Sequence, residues 1–100
     1  MSWFSRKNKA ENTSSSQHDA NFYLFFTEMN KSSAEAAEKI FAGSGYLTDL
    51  QLLDHKGVKQ WALVLNRQVA DLDEVRSLEL SIIETTSELS GEYDGHEISV

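Results

Sequence analysis

The chain has 100 residues, 40% of them apolar and 25% charged, with 9 Lys+Arg against 16 Asp+Glu and a formal net charge of −7. That length holds one domain around a single two-layer core. There is no proline and no cysteine, which excludes a disulfide scaffold, a thiolate metal site and a cysteine nucleophile.

The longest run of large apolar residues is Phe22 to Phe26, far short of the ~20 residues that a spanning helix needs. Met1 to Lys9 is followed by polar sequence and carries no signal-peptide pattern, so the expected compartment is the cytoplasm, with no membrane contact. Charge is unevenly placed. Residues 1–20 carry Arg6, Lys7 and Lys9 against Glu11 and Asp19, whereas nine acids oppose only Arg76 from Asp71 to Glu97. Such a surface repels phosphate backbones. Direct nucleic-acid binding is therefore not expected, and a basic protein or segment is the expected partner.

In chain order, residues 5–20 contain no large apolar residue. Ordering them would cost roughly 1–2 kcal/mol per residue in backbone entropy with nothing to bury in return, so residues 1–20 read as a flexible tail and residues 21–100 as the domain. Trp3 and Phe4, ahead of Arg6, Lys7 and Lys9, have the composition of a short membrane-surface or partner-docking tag, but one turn of amphipathic character is too little to anchor anything alone, and a disordered start with two stray aromatics is the expected reading. Phe22 to Thr27 is β-rich and too short for a helix, so it reads as a buried strand. Ser32 with Glu35 has capping-box spacing and opens a helix with Ala34, Ala37, Ile40 and Phe41 on one stripe, closed by Gly43 or Gly45. Tyr46 to Asp54 alternates as a strand, His55-Lys56-Gly57 is a turn, and Gln60 to Leu65 is a second strongly apolar strand. Asp71 with Glu74 repeats the capping-box spacing. It opens a long helix with Leu72, Val75, Leu78, Ile82 and Leu89 on the buried stripe and Gly91 at its close. Glu92 to Val100 reads as a last, polar strand.

The order β-α-β-β-α-β with right-handed crossovers predicts an α+β fold, a ferredoxin-like plait. Its four-stranded antiparallel sheet has both helices on one face, with the first and third strands central. The other face then carries apolar groups without a partner in the monomer. Tyr23 and Phe25 oppose Phe22, Leu24 and Phe26, and Ala62 and Val64 oppose Trp61, Leu63 and Leu65. Such a patch marks an interaction surface, and a homodimer through it is one expectation.

Chemistry for catalysis is sparse. His18, His55 and His96 are scattered, and no His-x-x-His pair or Gly-x-Ser-x-Gly elbow occurs. Glu92, Asp94 and His96 stand at i, i+2 and i+4 of a strand, where a regular pleat would aim all three one way. Such a set could hold a divalent cation, but charged groups on an edge strand more simply block sheet-to-sheet pairing. Glu74, Glu79, Glu84 and Glu88 read as the wet side of the second helix. No catalytic residue, cofactor or metal is expected.

Ser90-Gly91-Glu92-Tyr93-Asp94-Gly95-His96-Glu97 resembles the Gly-x-Tyr-Asp-Gly-Trp signature of the regulator of ribonuclease E activity B domain family. Phe22 to Phe26, the helix ending at Gly45-Tyr46, and Lys59 to Leu65 followed by Arg67 are similar to that domain's earlier elements. His96 stands where the family usually has Trp. The resemblance covers about residues 21–99 and implies a bacterial, cytosolic, non-catalytic protein whose partner is ribonuclease E. The expected function is thus a protein-binding regulator, not an enzyme, with Glu79, Glu84, Glu88, Glu92, Asp94 and His96 as the expected partner-binding residues. The alternative is a small-ligand regulatory domain working as a dimer.

Overall fold

The computed structural model describes residues 17–99. Four strands and two helices follow in the expected order: β1 (His18–Thr27), α1 (Lys31–Gly43), β2 (Leu47–His55), β3 (Val58–Val69), α2 (Leu72–Glu88) and β4 (Glu92–Ile98). The sheet order is β2-β3-β1-β4 with every pair antiparallel. The chain is an α+β protein consistent with a ferredoxin-like plait.

The core lies between the sheet and the helices. Phe22, Leu24 and Phe26 of β1 are buried with Leu63, Leu65 and Val69 of β3, beneath Ala34, Ala37 and Phe41 of α1 and Val75 and Ile82 of α2. Each such large side chain is worth about 1.5–3 kcal/mol in burial. These residues stand on one pleat face of β1 and β3, so the period of two in the sequence carries directly into the core.

Local chemistry decides the element ends. At the start of α2 the Asp71 carboxylate accepts from the Glu74 N–H at 2.9 Å, and Glu74 Oε1 accepts from the Ala70 N–H at 2.7 Å. The first is the N-cap bond that the capping-box spacing predicted; the return bond reaches one residue further back, to Ala70 before the N-cap Asp71. The corresponding box at α1 does not form. A 3-10 turn (Glu28–Asn30) feeds the helix directly, so its N-cap is Asn30 and Ser32 lies inside it. Trp61 Nε1 donates to the Glu28 carbonyl at 3.2 Å and holds that turn against β3. Of the expected stripe, Ala34, Ala37 and Phe41 are buried and Ile40 is exposed. The C-terminus of α1 closes with the Tyr46 N–H on the Phe41 carbonyl and the Gly45 N–H on that of Ala42, while the rings of Phe41 and Tyr46 meet edge-on at 5.6 Å. This is the hydrogen-bond pattern and apolar contact of a Schellman motif.

Two boundaries differ from expectation. The first strand begins at His18, so residues 18–20 belong to the sheet and not to a tail; Ala20 is fully buried opposite Arg67 and Ile98. Alanine needs no large side chain to be buried, which is why composition hid it. The expectation for residues 1–16 lies outside the described residues. At the end of α2, Ser90 and not Gly91 takes the left-handed conformation (φ +63°). Gly91 is required for a different reason: a Cβ there would collide with the Phe26 ring.

These two neighbours should respond in opposite directions. Ser90→Gly should stabilise the fold by about 1 kcal/mol, by relieving a left-handed non-glycine residue. Gly91→Ala should destabilise it by about 1–3 kcal/mol through collision with Phe26. Urea denaturation of the two variants measures both.

Candidate protein-binding surface

The last strand is not a regular pleat. Gly95 pairs with Tyr23 and Tyr93 with Leu24, so Asp94 is an extra residue in β4. This β-bulge is built on Gly95, whose φ of +119° disfavours any side chain. Its effect is to put Tyr93 and His96, three residues apart, both on the helix-facing side. There Tyr93, half-buried against the core, stands opposite Leu24, and His96 stands opposite Phe22. Glu92 faces the other way, opposite Phe25. The expectation that Glu92, Asp94 and His96 share a direction is therefore corrected. The extra residue reverses the alternation between Glu92 and His96, and the three cannot converge on one ligand from one face.

His96 and Tyr93 converge instead on Glu79 of α2. The Tyr93 hydroxyl donates to Glu79 Oε2, and His96 Nδ1 lies 2.8 Å from the same oxygen. A carboxylate can only accept, so Nδ1 is the donor. Glu79 retains only 21% side-chain exposure, so its assignment to the wet side of the helix is also corrected. The spacing Val75, Glu79, Ile82, Thr86 contains the missed signal, because it lies along the buried stripe. Burial by itself would raise the Glu79 pKa, but the hydrogen bonds from Tyr93 and His96 outweigh it and hold the carboxyl below the usual range. Burial first, and then the Glu79 carboxylate, push the Tyr93 hydroxyl well above the ordinary tyrosine value. This cluster fastens an edge strand to α2 and turns two of the expected partner-binding residues, Glu79 and His96, inward.

The other four stay outside. Glu84 and Glu88 are exposed on the last turns of α2, and Glu92 and Asp94 are exposed at the start of β4, where the chain leaves that helix. No lysine or arginine follows Arg76 in the chain, and Arg76 itself lies 3.8 Å from Asp73 on the same helix. Apart from Arg76, held near Asp73 earlier in the helix, α2 and β4 thus carry no lysine or arginine. The same helix exposes Leu72, Leu80 and Ile83, with Leu80 at 73%. Leu72, expected on the buried stripe, is instead exposed at the first turn of the helix, and Leu80 and Ile83 were not singled out by sequence. Arg76 stands between Leu72 and Leu80 at helical spacing, so the uninterrupted apolar pair is Leu80 and Ile83, with Glu84 and Glu88 following on the helix.

Family models, curated proteins and solved structures were each compared with the chain, and none matches.

Tyr93 and Glu92 separate fold from surface. Tyr93→Ala should cost about 3 kcal/mol, as large core deletions do, whereas Glu92→Ala should stay within about 0.5 kcal/mol; equal losses in thermal or urea unfolding would show the strand's faces reversed. Glu79 adds a pH signature. Its folded pKa lies below its unfolded value, so its contribution is complete above the ordinary glutamate range and is lost as pH falls through the folded value. Glu79→Gln should flatten the decline of stability between about pH 5 and pH 3, read by chemical denaturation at each pH.

Proposed function

We propose that this chain is a non-catalytic regulator that acts by binding a basic protein segment through the outer surface of α2 and the start of β4. The observation that carries the reading is the exposed pair Leu80 and Ile83 on a helix that also exposes Glu84 and Glu88, with Glu92 and Asp94 exposed just past its end and no lysine or arginine after Arg76. An apolar centre supplies affinity, and a one-signed rim supplies steering and partner choice. The resemblance of Gly91 to Glu97 to the regulator of ribonuclease E activity B domain family supports a partner of this kind, the basic non-catalytic region of ribonuclease E. In that reading the Glu79 cluster is a structural support that presents β4 rather than a contact.

Titration of the chain against that recombinant region tests it. Wild type should bind, and salt should weaken binding as the Debye length shortens to ~8 Å at physiological strength. Individual exposed pairs contribute only ~0–1 kcal/mol, so Glu84→Lys, Glu88→Lys and Glu92→Lys together should lower affinity by about tenfold or more. Retention of full affinity in the triple variant would remove the charge mechanism, and absence of wild-type binding would remove this partner.

A further inference from the structure

The sheet face turned away from the helices has its own chemistry. Tyr23 and Phe25 stand at its centre next to Val64 and Ala62 of β3; on β2 the polar Asp49 and Gln51 lie beside that pair, with the exposed Leu47 and Leu53 at the two ends of the same face. Around it lie Asp19, Asp49, Glu92 and Glu97, with Asp94 at the bulge. Tyr23 donates to Glu97 at 2.6 Å. Among the described residues, the strands present no lysine or arginine on this face; Lys59 and Arg67 of β3 alternate to the helix-facing side with Leu63 and Leu65.

An aromatic centre inside an acidic rim fits an occupant that brings aromatic and basic groups together. A second copy placed face to face would set the same carboxylates against each other, and like charges oppose that arrangement. The chain itself carries one stretch of the right composition outside the described residues: Trp3 and Phe4, then Arg6, Lys7 and Lys9, with Glu11 as the sole acid among residues 1–16.

Its point of attachment suits the distance. β1 begins at His18 and runs toward Thr27, so Tyr23 and Phe25 lie about 17 and 23 Å along the strand from its start. An unconstrained linker of the length separating Phe4 from His18 has an r.m.s. reach of about 20 Å. Local concentration is highest when the reach of a tether matches the span.

We propose that residues 1–16 dock in cis on this open sheet face. Trp3 and Phe4 cover Tyr23, Phe25 and Val64, and Arg6, Lys7 and Lys9 lie over the carboxylates of β1, β2 and β4. The two surfaces share Glu92 and Asp94, but the aromatic centre of this one lies on the other side of the sheet from α2, and its test needs no partner protein.

The chain has no cysteine, so Ser5→Cys gives a single attachment point for a nitroxide spin label on the full-length protein. In amide NMR spectra, Tyr23, Phe25, Val64 and Glu92 should lose most of their signal to the label, while Glu35 of α1 and Ser81 of α2 keep theirs. Adding Trp3→Ser and Phe4→Ser to the labelled chain should restore the lost signals. Equal broadening of both sides of the sheet, or open-face broadening that persists without Trp3 and Phe4, would overturn the proposal. Mixing labelled chains with separate isotope-enriched chains should give no loss; loss there would assign the face to a second copy instead.

Discussion

The two-residue alternation of β1 is the constraint on which the rest of the molecule depends. β1 is a central strand, paired on both sides along most of its length, and its even positions from Ala20 to Phe26 are buried. Slipping its register by one residue would turn Tyr23 and Phe25 into the core and Phe22, Leu24 and Phe26 out of it. Because β3 and β4 take their register from this strand, the identity of both sheet faces follows from it. The helix-facing side becomes aromatic and aliphatic. The other side keeps an aromatic centre with carboxylates around it.

The bulge in β4 adjusts that inheritance. An edge strand in simple alternation with β1 could not turn both Tyr93 and His96 toward α2. One extra residue, with Gly95 supplying the backbone conformation, lets both reach Glu79. An edge strand has hydrogen-bond partners on one side alone, so side-chain fastening to a helix matters more there than in the centre of a sheet. The same shift leaves Glu92 and Asp94 in solvent, next to the end of α2. A structural need and an exposed acidic corner thus come from one insertion.

The corner and the open face present carboxylates in different settings. On α2 the acids follow an exposed aliphatic pair on a convex helix. On the sheet they surround aromatic groups on a flat surface whose bases all face the other way. The −7 net charge is therefore arranged in two fields that meet at Glu92 and Asp94 of the edge strand, and each fits an occupant of opposite charge.

Sequence by itself determined the element order, the two faces of β1 and β3, and the capped start of α2, because these rest on periodicity and on contacts between residues three or four apart. Tyr93 is the one large apolar group between Leu89 and Ile98, so composition alone marks it as the residue that ties the last strand to the core. Tertiary structure alone decided the rest. The inward turn of Glu79 and His96 needs the bulge, which exists through pairing with Tyr23 and Leu24, some 70 residues earlier in the chain. The role of Gly91 depends on the position of the Phe26 ring. The acidic rim of the open face gathers Asp19, Asp49, Glu92 and Glu97 from three strands. Such contacts join residues far apart in the chain, and no local spacing can encode them.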